Sequence, residues 1–156
     1  VETVGSAMLF DSLSAEAICD TIHLSIPAIK LLIKNKPHDK FILITDSMRA
    51  KNLGEGESEL GGQKVFVKNG EARLANGALA GSILRMNDAI KNLVTKCDVP
   101  LLDAIDYATI NPAKNLGIDN IKGSIKQGKN ADFAVLDSDF NVTLTVRAGN
   151  IIYSKN

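Results

Sequence analysis

Two side chains in this sequence have the chemistry of a hydrolytic site. Asp46 follows the apolar run Phe41-Ile42-Leu43-Ile44 directly. A carboxylate at the end of such a run can take a proton from a reacting group and hand it back. The simpler reading is that Asp46 caps the turn before Ser47-Met48. His23 stands between a short segment ending at Asp20 and Ser25, which suits a helix N-cap. An imidazole there can bind a metal or an oxyanionic group, or only hydrogen-bond its own loop. His38 lies in the charged stretch Lys36-Pro37-His38-Asp39-Lys40 and reads as a solvated surface residue. A third candidate is backbone: Gly77-Ala78-Leu79-Ala80-Gly81-Ser82 is built of small residues ahead of a helix. Small residues let a ligand approach the chain, and helix N-terminal amides favour anions. The same pattern also fits a plain loop-to-helix junction.

Metal sites need clustered His, Cys, Asp or Glu donors. Two histidines, one of them in a charged loop, do not make a multi-His site. HxH, HExxH, GxSxG, Walker and GxGxxG patterns are absent from the sequence. Cys19 and Cys97 form no CxxC pair and are expected to be buried, reduced thiols.

These residues depend on the elements around them. Ser25, Pro27 and the apolar positions Ile26, Ile29, Leu32 and Ile33 predict a helix that Pro37 stops. Residues 41–44 predict a strand buried on both faces, as in a parallel sheet. Residues 15–20 are open between helix and strand by pattern alone. Asn69-Gly70 between two short strand-like runs predicts a β-hairpin over about residues 60–76. Ser82 is expected to cap a long helix through Ile83, Met86, Ile90, Leu93 and Val94. Pro100 and Asn111-Pro112 open two further helices, the second ended by Gly117. From Gly123 onward the pattern is strand and turn: Phe133-Ala134-Val135-Leu136, then Val142, Leu144 and Val146 alternating with Thr143, Thr145 and Arg147. Gly149-Asn150 turns the chain into Ile151-Ile152-Tyr153. Helix-and-strand alternation therefore gives way to antiparallel β near residues 117–120.

Composition sets bounds on function. The 156 residues are 45% hydrophobic and 23% charged, the balance of one globular domain with a real core. Lys plus Arg equals Asp plus Glu, 18 each, so nothing in the charge favours nucleic acid or an anionic membrane. No stretch reaches the roughly 20 apolar residues of a membrane span. No secretion signal opens the sequence, and a cytoplasmic location is expected.

Several stretches, in order along essentially the whole chain, resemble the N-acetylglucosamine-6-phosphate deacetylase family of the amidohydrolase superfamily. They are Val4-Gly5-Ser6-Ala7, Asp20-Thr21-Ile22-His23, Ile44-Thr45-Asp46-Ser47-Met48-Arg49-Ala50, Glu59-Leu60-Gly61-Gly62, Asn76-Gly77-Ala78-Leu79-Ala80-Gly81-Ser82 and Asn92-Leu93-Val94. Gly123-Ser124-Ile125 and Gly128-Lys129-Asn130-Ala131-Asp132-Phe133-Ala134-Val135-Leu136-Asp137 resemble the closing β segment shared by many amidohydrolases.

The resemblance implies an α/β fold: the last two β/α units of a (β/α)8 barrel in residues 1–117, with the hairpin insert, and strands of a small β-sandwich in residues 118–156. A complete barrel takes about 250 residues, so the chain is expected to be a C-terminal part. The implied reaction hydrolyses the acetamide of N-acetylglucosamine 6-phosphate to glucosamine 6-phosphate and acetate. Asp46 matches the catalytic aspartate, His23 the histidine that holds substrate and polarises its carbonyl, and Leu79, Ala80 and Gly81 a substrate-contacting backbone segment. On this alignment residues 15–19 are the seventh barrel strand. A divalent metal of the zinc or iron class is implied, with ligands that have no counterpart in this chain, and so is a homodimer. The chain alone is expected to be inactive. A different amidohydrolase, or a non-enzymatic α/β module, are the other readings. The deacetylase reading requires His23 and Asp46 to leave neighbouring strands at one end of the sheet.

Overall fold

A computed structural model describes residues 3–155. The chain runs α1 (Thr3–Leu9), β1 (Ala15–Ile18), α2 (Ile26–Asn35), β2 (Phe41–Ile44), β3 (Gly56–Leu60), β4 (Gln63–Lys68), β5 (Glu71–Leu74), α3 (Met86–Cys97), α4 (Leu101–Ala108), α5 (Ile110–Asn115), β6 (Phe133–Leu136), β7 (Val142–Arg147) and β8 (Asn150–Ser154).

β1 and β2 form a parallel pair in which Ala15 meets Phe41 and Ile18 meets Ile44. Parallel neighbours need a crossover, and α2 supplies it. Ser25 caps α2, its Oγ accepting from Ala28 N at 3.4 Å, with Pro27 in the first turn. In β1 Ala15 and Ala17, and Cys19 just beyond it, are buried in the core while Glu16 faces out, the period-two pattern of a strand. Phe41, Ile42 and Leu43 of β2 are all buried, as the unbroken apolar run predicts. The core joins these strands to Ile29 and Leu32 of α2, Ala89, Ile90, Leu93 and Cys97 of α3, and Ala104 and Tyr107 of α4. Each large side chain buried here contributes about 1.5–3 kcal/mol. Polar anchors close the margins. Buried Asn111 donates to the carbonyls of His38, at 2.6 Å, and Phe41, at 2.9 Å, fixing the start of β2 on α5. Lys36 Nζ donates to the carbonyls of Ala7 and Phe10, which ties α1 to the end of α2.

The insert differs from the expected hairpin. It is a three-stranded antiparallel sheet in the order β3-β4-β5, and it begins at Gly56. Gly61-Gly62, read as the approach to the hairpin, is itself the turn between β3 and β4. Inward Val65, Val67 and Ala72 form a second small core with Met48, Ala50 and Ala80. The third helix also differs from expectation: it starts at Met86, with Arg85 at the cap position, not at Ser82.

β6, β7 and β8 form the third sheet, antiparallel throughout. The last turn is Ala148-Gly149, both left-handed at φ 49° and 79°, one residue before the expected turn. Asp132 holds this turn, accepting from Ala148 N at 2.6 Å and from the Lys122 ammonium. The Lys122 hydrogen bond, aided by that amide, lowers the Asp132 carboxyl below its ordinary value. The Asp132 motif therefore does structural work. Gly123 seats the sheet's approach on the helices. A Cβ there would stand 2.6 Å from Ala113 Cβ, and its φ of 82° also requires glycine.

Candidate active site at the ends of the parallel strands

Asp20 and Asp46 each lie two residues beyond the last paired position, Ile18 opposite Ile44. The register thus brings the two loops with candidate chemistry out at the same end of the sheet. In α/β folds that end carries the working groups.

The loop after β1 is organised by Asp20. Its Oδ1 accepts from Ile22 N at 2.8 Å and His23 N at 2.9 Å, and its Oδ2 lies 2.7 Å from His23 Nδ1. This is an Asx-type turn closed by the imidazole. Thr21 takes a left-handed φ of 68° inside it. The His23 side chain is 22% exposed and that of Asp20 is 9% exposed. His23 therefore does bond to its own loop, but through Nδ1 only, which leaves Nε2 for another partner. Asn92 of α3 donates to the Cys19 carbonyl at 3.0 Å and so secures the end of β1.

The loop after β2 is held from elsewhere. Asp46 has a φ of 47°, a left-handed conformation that Asp tolerates better than most residues, and its side chain is exposed. Its carbonyl accepts from Ser82 N at 3.0 Å, and Met48 N donates to the Ser82 carbonyl at 2.9 Å. Ser82 Oγ donates to the Thr45 carbonyl and accepts from Leu84 N at 3.2 Å. Ser47 Oγ donates to the Leu84 carbonyl. Ser82 is thus a clamp on the Asp46 loop, not a helix cap.

The 79–81 segment approaches Asp46 through the same bridge. Leu79 pairs with Arg73 of β5, and Ala80 N donates to the Ala72 carbonyl at 2.9 Å. Gly81 follows at φ 67°, where a Cβ would lie 3.7 Å from the Asp46 carbonyl oxygen, 3.5 Å from Met48 Cβ and 3.4 Å from Leu60 Cδ2. The inserted sheet thereby delivers this backbone to the end of β2.

A cleft of about 320 Å³ nearby is lined by Asp20, Ile22, Lys51, Leu84, Arg85 and Asp88 among others, but not by His23 or Asp46. His38 lies away from these loops, exposed, 3.5 Å from Asp103 Oδ1 and 5.1 Å from the Tyr107 ring centroid. Cys19 and Cys97 are free and buried. Burial first, with Cys97 and Asp20 adding to it, pushes the Cys19 thiol up to about 12, so it stays protonated and is no nucleophile. Among the described residues no three His, Cys, Asp or Glu side chains converge to hold a metal ion. The described residues therefore do not fit a metal centre by themselves.

Sequence reasoning gave no role to Asp20 and misassigned Ser82. The Asp20 turn had a usable signal: Asp three residues before His in a short loop ahead of an N-cap. Nothing local signals the Ser82 clamp, because its partner at Thr45 is 37 residues away.

The pattern of the Amidohydrolase family matches residues 13–152. The chain is 43% identical over 150 residues to the N-acetylglucosamine-6-phosphate deacetylase of Bacillus subtilis (strain 168), covering 96% of this chain and 38% of that protein. It is 36% identical over 139 residues to a putative N-acetylgalactosamine-6-phosphate deacetylase of Escherichia coli (strain K12), covering 89% of this chain and 83% of that protein. The crystal structure of N-acetylglucosamine-6-phosphate deacetylase from Thermotoga maritima superposes with a TM-score of 0.89 at 36% identity, over 97% of this chain and 41% of that one. The chain thus spans about two fifths of the B. subtilis relative. With the parallel strands, the inserted sheet and all of the terminal sheet but the end of β8 inside the matched region, the chain belongs to the Amidohydrolase family.

Proposed function

We propose that the protein containing this chain removes the acetyl group from N-acetylglucosamine 6-phosphate, giving glucosamine 6-phosphate and acetate. The observation that carries this reading is the exit of the Asp46 and His23 loops from adjacent parallel strands at one end. Each loop is fixed by hydrogen bonds that leave its working group available. Similarity to deacetylases of phosphorylated amino sugars supports the substrate class.

Asp46, as carboxylate, accepts a proton from the attacking water and returns it to the departing amine nitrogen. His23 donates from Nε2 to the acetamide carbonyl as negative charge grows on its oxygen. Leu79, Ala80 and Gly81 line the approach with backbone that small side chains keep open. A divalent metal of the zinc or iron class belongs to the reading, with ligands from residues outside this chain. In the same reading, residues 1–117 are the last two β/α units of a (β/α)8 barrel and 118–156 are strands of a small β-sandwich. The whole protein is a cytoplasmic homodimer. Among the described residues no helix is long and apolar enough to cross a membrane.

Asp46→Asn in the whole protein tests the assignment. Turnover of N-acetylglucosamine 6-phosphate should fall by about 10²–10⁴-fold, the usual contribution of general acid–base catalysis, with KM little changed. Near-native turnover removes Asp46 from the chemistry. Because one relative is named for the galactosamine epimer, both 6-phosphates should be assayed. A higher kcat/KM for N-acetylgalactosamine 6-phosphate reassigns the sugar while keeping the reaction.

A further inference from the structure

We propose that Asp20 is the positioning residue of His23: it keeps a proton on Nδ1 and makes Nε2 the nitrogen offered to a ligand. The inference rests on the reading of His23 as the substrate-binding histidine.

The Asp20 carboxylate is 9% exposed and spends both oxygens inside one loop. Oδ1 takes two backbone amides, at 2.8 and 2.9 Å, and Oδ2 lies 2.7 Å from Nδ1. An ionised carboxylate only accepts hydrogen bonds, so the ring nitrogen facing it must be the donor. That decides what Nε2 can do. In the neutral ring Nε2 carries the lone pair and accepts. In the protonated ring it carries a hydrogen and donates, while Asp20 stabilises the cation. With Nδ1 kept as the donor to Asp20, polarising an amide carbonyl from Nε2 requires the second form, a charge-assisted donor stronger than the neutral N–H that Asp20→Asn would offer. The carboxylate also holds the ring's orientation, because the amides of Ile22 and His23 fix Oδ1 while the ring is bound to Oδ2. Asn92 on the Cys19 carbonyl and the left-handed Thr21 keep the loop in register with β1. Asp20, though not His23, also lines the neighbouring cleft.

A purely structural Asp20 would shape the turn and leave the ring's proton alone. Asp20→Asn separates the two roles. The Asn carbonyl keeps the two amide bonds, and its NH₂ turns to Nδ1, which then has to accept.

The experiment uses the whole protein with ¹⁵N-labelled histidine rings, His23 being assigned from the signal lost in His23→Ala. The neutral native ring should carry its proton on Nδ1, and the neutral ring of Asp20→Asn should carry it on Nε2. For turnover of N-acetylglucosamine 6-phosphate, Asp20→Asn should lower kcat/KM by roughly 10–100-fold, the range for groups that orient a working histidine. Added to His23→Ala, the same change should cost less than about twofold, since its route has gone. A native neutral ring protonated on Nε2, a tautomer unmoved by Asp20→Asn, or full additive losses in the double variant each overturn the inference. If His23→Ala alone turns over normally, the functional reading of His23 fails instead, and the ring spectra still decide whether Asp20 fixes Nδ1.

Discussion

After β1 the chain makes its turn with its own side chain. Asp20 binds the amides two and three residues ahead and the ring of His23, so the whole device spans residues 20–23. After β2 the turn is held by a segment that returns from the inserted sheet 35 residues later, with Ser82 bonding on both sides of Asp46. Both loops leave the same end of one parallel pair. The histidine loop is therefore set by local sequence and by β1, whereas the aspartate loop depends on the insert being docked against it. Turnover should accordingly be more sensitive to damage in the insert than the fold of the β1 loop is.

Ser82→Ala tests this dependence most strongly. It removes the hydroxyl that donates to the Thr45 carbonyl and accepts from Leu84 N, at a buried position. Groups left unsatisfied in such a place cost about 1–3 kcal/mol, to be read from the denaturant midpoint at constant slope. Turnover should fall with it, because the clamp fixes Asp46, while the His23 ring spectra stay native. A change in those spectra would show that the two loops are coupled.

Gly81→Ala follows. Space is not the obstacle, since the added Cβ meets neighbours at 3.4 Å and beyond, which is ordinary contact. The cost comes from a φ of 67°, at which an L side chain loses about 1–2 kcal/mol. If the chain escapes that strain by rotating, the Ser82 amide turns away from Asp46 and turnover drops beyond what stability explains. Unchanged stability and turnover would mean that the 79–81 backbone is not held at this conformation.

The same division between local and distant causes decided what the sequence could reveal. The helix from Ile26 was legible because Ser25 and Pro27 begin it and Pro37 stops it, all within reach of one another. The strand at Phe41 was legible because a run buried on both faces carries no polar residue. Ser82 was misread because its hydroxyl does accept an amide two residues on, as capping serines do, while the bond that matters reaches Thr45. β3, Gly-Glu-Ser-Glu-Leu, went unread because its residues are poor strand formers and four of its five positions are exposed; pairing with β4 supplies its order. α1 likewise has no buried residue and no charge at either end to announce it. The site followed the same rule. Residue types and the resemblance marked His23, Asp46 and the 79–81 segment, whereas the groups that hold them, Asp20, Asn92 and Ser82, appeared only with the coordinates.

Ser25→Ala supplies the mild end of the scale and checks that the β1 side really is locally held. Ser25 is exposed, and its cap bond to Ala28 N is long, at 3.4 Å. Removing an N-cap costs about 0.5–2 kcal/mol, and a bond this long belongs at the low end, about 0.5 kcal/mol. Since Asp20 orders the His23 loop without help from α2, turnover and ring spectra should match the native protein once the small stability loss is accounted for. A loss above about 2 kcal/mol, or a shifted His23 signal, would mean that the start of α2 shares in holding the histidine. The contrast between a self-made loop and a clamped one would then give way to a single network spanning both strand ends.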